Sequence, residues 1–374
     1  MSLFDVYPLF DVNPVKGRDV YVYDESGNEY LDLYGGHAVI SIGHSHPEFV
    51  KALKSQLDQL AFYSNAVQNP LQSKYAETLV KASDCANYQL FLCNSGAEAN
   101  ENALKLASFH TGKAKIVAFK NGFHGRTSAA VAATDNQKII APLNRQQQVE
   151  LVDLGDLEVV EIALSRKDCC AVIVECIQGV GGLDEGAGEF FKELQRLCKK
   201  YQCLLIADEV QSGFGRSGEF FAFQKHGLEP DIISMAKGMG NGFPVGGILI
   251  HPSIKASHGL LGTTFGGNHL ACVAGLSVLK VLEQEQLMKN VKQQQAYVQQ
   301  QVEQIPAIKK LKGRGLMLGL EFDYPVSDLR KKLLYEHHIF TGSAKNPNLL
   351  RILPPLTVQT QHWDRFFQAL KASL

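Results

Sequence analysis

A lysine that closes an apolar run and opens a glycine-rich turn keeps unusual company for a residue normally left in water. The stretch Asp231-Ile-Ile-Ser-Met-Ala-Lys237-Gly-Met-Gly-Asn-Gly-Phe-Pro-Val-Gly-Gly247 has this form. Burial disfavours the ammonium and lowers its pKa, freeing the amine to act as a nucleophile or to form a Schiff base. A plain strand-end lysine is the competing reading of these residues alone. Upstream, Leu204-Leu-Ile-Ala-Asp208-Glu-Val-Gln211 sets a carboxylate at the end of an apolar strand, where open α/β sheets bind ligands. An ionised carboxylate there needs a cation, and a protonated pyridine nitrogen would be one. Capping of the next loop is the alternative.

Two further clusters carry polar chemistry. Cys93-Asn-Ser-Gly-Ala-Glu-Ala-Asn-Glu101 follows the apolar Leu90-Phe-Leu92 and opens a helix-forming run. Ser95, Gly96 and Ala97 would then present unpaired N–H groups and a helix dipole to an anion, or form a cap with no ligand. Gly122-Phe-His-Gly-Arg-Thr127 offers an aromatic face in Phe123, an imidazole in His124 and a guanidinium in Arg126. Arginine's planar fork suits a carboxylate; a polar loop around a core phenylalanine is the simpler reading.

Several elements must hold these residues. Val20–Asp24 and Glu29–Leu33 alternate in strand fashion around Ser26-Gly27-Asn28, which predicts a hairpin. Short, non-alternating apolar runs at Ile116–Phe119, Ala171–Val174 and Leu204–Ala207 alternate with helical stretches such as Gly188–Tyr201. That alternation predicts a parallel sheet covered on both faces. A long helical pattern is expected from about His269 to Glu303, a strand within Gly315–Phe322, and a closing helix around Trp363–Ala372. The fold class is α/β: a large, mostly parallel sheet domain over residues 45–265, with a smaller α+β domain assembled from 1–44 and 266–374.

The 37 basic side chains nearly cancel the 38 acidic ones, which gives no electrostatic reason to expect nucleic acid or an anionic membrane as partner. None of the eight cysteines forms a C-x-x-C pair and several lie in apolar runs, so buried free thiols in a reducing compartment are expected. With no basic leader and no apolar run of membrane-spanning length, the expected location is the cytoplasm. His44 and His46 lack a nearby Cys or Asp ligand, so no metal is expected there. Gly213-Phe-Gly-Arg-Ser-Gly218 lacks the P-loop Lys-Ser/Thr and the dinucleotide spacing, and reads as a loop shaping the site.

Taken in order, from Gly43-His-Ser-His-Pro47 to Arg351, the clusters resemble the class III (ω-amino acid) aminotransferases of the pyridoxal 5′-phosphate-dependent fold type I, the aspartate-aminotransferase-like fold. The pattern is most similar to the acylornithine aminotransferases of arginine biosynthesis. The resemblance implies that Lys237 holds pyridoxal 5′-phosphate as a Schiff base and that Asp208 keeps the pyridine nitrogen protonated. It implies Gln211 near the ring hydroxyl, Phe123 stacked on the ring with His124 beside it, and Ser95, Gly96 and Ala97 around the phosphate. Gly262-Thr-Thr-Phe-Gly-Gly-Asn268 resembles a segment that reaches a neighbouring subunit's phosphate, making Thr264 the contact and the enzyme a homodimer with shared active sites. Arg126 and Arg351 would receive substrate carboxylates, Arg351 that of 2-oxoglutarate, with Glu175 and Asn65 also at the substrate.

The implied reaction is transamination between an N-acylated ornithine, acetylated or succinylated, and 2-oxoglutarate. Another ω-aminotransferase (of ornithine, 4-aminobutyrate or a lysine derivative), an aminomutase of the same fold and a catalytically silent binding subunit are the alternatives. Three positions depart from the family pattern. Val174-Glu-Cys-Ile-Gln-Gly-Val180 ends in valine where the family commonly has a glutamate that pairs with the arginine at position 351. Gly35-Gly-His-Ala-Val39 is altered, and His269 replaces a common proline.

Overall fold

The computed structural model describes residues 3–374. Near the N-terminus β1 (Pro14–Arg18), β2 (Tyr21–Asp24) and β3 (Glu29–Asp32) form an antiparallel meander. The expected hairpin joins β2 to β3, and Asp24 Oδ1 accepts the Ser26 and Asn28 N–H groups that the turn leaves free.

The central sheet contains β4 (Gln89–Cys93), β5 (Lys115–Phe119), β6 (Val149–Val152), β7 (Cys169–Val174), β8 (Leu204–Asp208), β9 (Ile232–Met235) and β10 (Gly246–Ile250), in the order β4-β10-β9-β8-β7-β5-β6. Pairing from β9 through β6 is parallel; β10 runs antiparallel to both its neighbours. β7 and β8 are buried at every residue, as a sheet covered on both faces requires. Side chains alternate between two apolar clusters, Val172, Leu205 and Ile233 on one face, Ile173, Ile206 and Ile232 on the other. All strands but β10 end at one edge of the sheet, and that edge delivers the chemistry. β4 leads to Ser95, β5 to Phe123, β7 to Glu175, β8 to Asp208 and β9 to Lys237.

Helix α1 (Gly96–Thr111) packs on the sheet with Ala99, Ala103 and Leu106 inward. α2 (Gly188–Tyr201) buries Phe190, Phe191, Leu194, Leu197 and Cys198 along one stripe and stops where Gln202 turns left-handed at φ 52°. Removing the ring of Phe191, which is wholly buried, would cost about 3–5 kcal/mol. The continuous helix expected from His269 to Glu303 is instead two, α3 (His269–Gln284) and α4 (Leu287–Val302). Gln286, left-handed at φ 52°, breaks the ladder between them, and no glycine or proline marks the place.

The C-terminal strands β11 (Lys310–Arg314), β12 (Met317–Glu321), β13 (Ile339–Phe340), β14 (Gly342–Ser343) and β15 (Leu349–Ile352) precede the closing helix α5 (Thr360–Ser373). β13 leaves its neighbours and pairs in parallel with β3, so one four-stranded sheet draws on both chain ends. The other four form the sheet β11-β12-β15-β14. All eight cysteines are buried and free. Among the described residues no helix is long and apolar enough to cross a membrane.

Candidate active site

Asp208 ends β8 with its side chain only 3% exposed, and its charge is met by hydrogen bonds. Oδ2 accepts from His124 Nδ1 at 2.7 Å and from Asn100 Nδ2 at 2.7 Å, while Oδ1 accepts the Val210 N–H at 3.0 Å. Burial opposes a charge on His124, but the hydrogen bond and charge of Asp208, assisted by Glu175, outweigh it and raise the histidine's pKa. Asn100, not singled out from the sequence, also donates to His124 O at 2.7 Å. Its signal was positional: it lies one helical turn after Gly96, on the same face of α1.

Lys237 follows β9 with φ 46°, a left-handed conformation that costs a side-chain-bearing residue on the order of 1–2 kcal/mol. Burial lowers its pKa and Arg351 adds to the effect, while Asp208 and Glu175 oppose it. A cavity of about 250 Å³ opens beside it, lined among others by Gly96, Ala97, Phe123, Val210 and Gln211 as well as Asp208 and His124. Gly96 is required by close approach, since a Cβ there would lie 2.5 Å from Val210 Cγ1. Ser95 caps α1, its Oγ accepting the Glu98 N–H at 3.2 Å; Gly96 and Ala97 of the first turn line the cavity, whereas Ser95 itself lines neither cavity.

Glu175 acts as a staple. Its Oε1 accepts the Phe123 N–H at 2.9 Å and its Oε2 the Gly179 N–H at 3.0 Å, tying two loops that wall the cavity. Burial first, then Asp208, raises its pKa, with His124 opposing.

A second cavity, of about 980 Å³, shares Phe123, Arg126, Val180, Gln211 and Lys237 with the first and reaches Tyr34, His37 and Arg351. Arg351 stands on β15, almost wholly buried. Its Nη1 donates to Gly179 O at 2.6 Å, and its Nε has no partner among the described residues. Arg126 is exposed at the rim of both cavities. Lys237, Asp208, His124, Phe123, Gln211, Gly96, Ala97, Glu175, Arg126 and Arg351 thus meet within one chain.

Asn65 and Thr264 do not line either cavity. Asn65 Nδ2 donates to Thr263 O and Gly266 O, and Thr264 is exposed next to Phe265 on the same surface. Arg216, from the glycine-rich loop at 213–218, is structural: its buried guanidinium donates to the carbonyls of Ile40, Leu316 and Pro354. His44 and His46 are separately engaged, with Asp32 at 2.8 Å and Glu285 at 2.9 Å.

Comparison with known proteins identifies the family. The profile of the family Aminotransferase class-III matches residues 5–374. An acetylornithine aminotransferase from Bacillus subtilis (strain 168) is 40% identical, the match covering 100% of this chain and 97% of the relative. Another from Aquifex aeolicus is 39% identical, with 100% and 99% covered. Among solved structures, the ornithine aminotransferase from Toxoplasma gondii superposes with a TM-score of 0.91 at 29% identity, covering 98% of this chain and 91% of that one. The acetylornithine aminotransferase from Elizabethkingia anophelis gives a TM-score of 0.83 at 27% identity, with 98% and 94% covered. The chain belongs to the class III aminotransferases and is a pyridoxal phosphate-dependent transferase of the fold type I architecture.

Proposed function

We propose that the protein moves the ω-amino group of an N-acylated ornithine to 2-oxoglutarate, giving an N-acyl glutamate semialdehyde and glutamate. The observation that carries this reading is Lys237, held left-handed at a strand end and facing a cavity it shares with the Asp208–His124 pair. The names of the full-length relatives at 40% and 39% identity support the substrate class.

The residues present fit a phosphorylated pyridine. Asp208 has a negative charge for a ring N–H, Phe123 offers a face, and Gln211 Oε1 is buried without a partner among the described residues. Ser95, Gly96 and Ala97 supply N–H groups for a phosphate. When bound, pyridoxal phosphate supplies an electron-withdrawing ring that accepts the amino group and spreads negative charge from the substrate carbon. Lys237 Nζ would hold the group, and as a free amine it would carry the proton to and from the amine-bearing carbon of the substrate. Its lowered pKa favours the neutral amine that both tasks need. Arg126 binds the donor's distant carboxylate, and Arg351 binds the carboxylate of 2-oxoglutarate.

In this reading the enzyme is a cytoplasmic homodimer with residues 1–44 and 266–374 forming the small domain and 45–265 the large one. Thr264 acts across the interface, and Asn65 serves the substrate. Exposed Phe62, Tyr63, Val67 and Phe265 surround these two residues, with the rings of Phe62 and Phe265 5.4 Å apart, and such a patch is characteristic of a protein interface.

The test is a steady-state panel of N-acetylornithine, N-succinylornithine, ornithine and 4-aminobutyrate with 2-oxoglutarate, read as glutamate formed. An acylated ornithine should give the highest kcat/KM. A higher value for either unacylated amine overturns the substrate assignment, and turnover without any keto acid would mark an aminomutase.

A further inference from the structure

Asp208 can accept one more hydrogen bond than the chain gives it. An ionised carboxylate offers about four lone-pair sites, two on each oxygen. On Oδ2 both are filled, by His124 Nδ1 and by Asn100 Nδ2, each at 2.7 Å. On Oδ1 one is filled, by the Val210 N–H at 3.0 Å. The open site is therefore on Oδ1, and Asp208 lines the smaller cavity. Which oxygen can meet a ring N–H is decided by the filling of Oδ2, and Asn100 supplies half of that filling.

Asn100 is locked in the orientation this requires. Its Nδ2 also donates to His124 O at 2.7 Å, so both neighbours of that nitrogen are acceptors. Turning the amide over would set its oxygen against a carboxylate and a carbonyl, with no N–H between them. Its own Oδ1 is buried without a partner among the described residues, so its bonding runs through the nitrogen alone. The residue is only 1% exposed, and it lines the smaller cavity with Gly96, Ala97, Phe123 and His124.

Helix α1 also sets a spacing. Gly96 and Ala97 stand in its first turn, and Asn100 stands one turn further on. Four residues of helix rise about 6 Å, on the scale of a phosphorylated pyridine from phosphorus to ring nitrogen. The helix whose first N–H groups face the phosphate in the reading above thus grips the carboxylate at the other end.

We propose that Asn100 is a positioning residue for the amino transfer: by closing Oδ2 it leaves Asp208 a single acceptor site, on Oδ1, for the cofactor's ring N–H. This rests on the reading of Asp208 given above. Without that donor Oδ2 reopens, and the carboxylate, no longer tied to α1, is free to turn about its Cβ–Cγ bond. The ring N–H then faces two competing oxygens and is aligned with neither. The buried carbonyl of His124 loses its donor as well, which loosens the backbone next to Phe123.

The test observes the ring itself. The enzyme is loaded with pyridoxal phosphate isotopically labelled at the ring nitrogen, and that nitrogen's resonance is followed by NMR. Asn100→Leu, close to asparagine in shape but without a donor, should move the resonance toward that of an unprotonated pyridine. Its kcat should fall roughly tenfold with KM little changed, the scale set by one hydrogen bond to a charged group. Asn100→Ala, which suits a helix and cannot clash, takes the same measurement if the leucine variant does not fold. A purely structural asparagine would lower the melting temperature and leave the resonance in place, and that result in a folded variant overturns the proposal. Asp208→Asn serves as the control and should move the resonance further than either. If it moves nothing, the ring nitrogen is held by another group, and the reading of Asp208 falls together with this inference.

Discussion

One oxygen of Asp208 holds His124 at 2.7 Å with both side chains nearly inaccessible, and the imidazole, tethered by a charge it can share, carries a raised pKa. Asp208→Asn removes that charge and leaves an amide N–H₂ opposing one of the donors that met it. We expect kcat to fall by at least ~10²-fold, in line with about 3–5 kcal/mol for breaking a buried charge pair. Cofactor retention should change much less, because the phosphate end is untouched. Stopped-flow half-reactions and equilibrium dialysis of the cofactor measure the two separately; a near-normal kcat would mean the ring nitrogen is held by another group.

Lys237→Ala should abolish turnover while the far-ultraviolet spectrum and oligomeric state stay unchanged. Loss of one cavity-lining side chain removes no core packing. Borohydride reduction of the loaded enzyme should fix the cofactor to Lys237, and mapping it to any other lysine would defeat the assignment.

Thr264 is exposed on a surface where Phe265 and Phe62 touch. If that surface joins two copies, mixing the inactive Lys237→Ala and Thr264→Ala chains and allowing subunit exchange should regenerate sites free of both lesions. Statistical re-pairing sets the expected recovery at up to about one quarter of normal activity. Exchange without any recovered activity argues that each site is built from one chain.

Val180 leaves Arg351 with a carbonyl partner, Gly179 O, in place of a carboxylate, in a cavity whose wall also carries Arg126, Lys138 and Lys345. An uncompensated guanidinium favours a donor with a second negative charge. We expect N-succinylornithine to show a higher kcat/KM than N-acetylornithine. Val180→Glu should reduce the succinyl value by more than the acetyl one. Equal values in the unaltered enzyme, or a higher one for the acetyl substrate, remove the charge argument.

Much of this site was legible because its parts are punctuated in the chain. Lys237 and Asp208 stand where an apolar strand stops, and Ser95–Ala97 stand where a helix starts, so local pattern and position in the sheet coincide. What escaped was set by tertiary context. Asn100 is a polar residue inside a helix, a place where side chains more often face water, and only the neighbouring strand gives it Asp208 to bind. The break at Gln286 has no glycine or proline to announce it, since a glutamine tolerates the left-handed conformation once the next helix packs. The left-handed turn at 35–38, where Gly35, Gly36, His37 and Ala38 all have positive φ, was visible only as an altered motif, because of these four residues only the two glycines favour that conformation.

The staple made by Glu175 bears on how this protein can change. Both oxygens are spent on backbone N–H groups, those of Phe123 and Gly179, and the carbonyl of Gly179 in turn holds Arg351. The two loops therefore cannot shift apart without stranding a buried carboxylate, and insertions or deletions in either should be poorly tolerated. Side chains pointing inward from the same loops, Val180 among them, are free to vary because none of those bonds depends on their identity. Divergence toward new amine donors is thereby channelled into point substitutions on a frame that stays still.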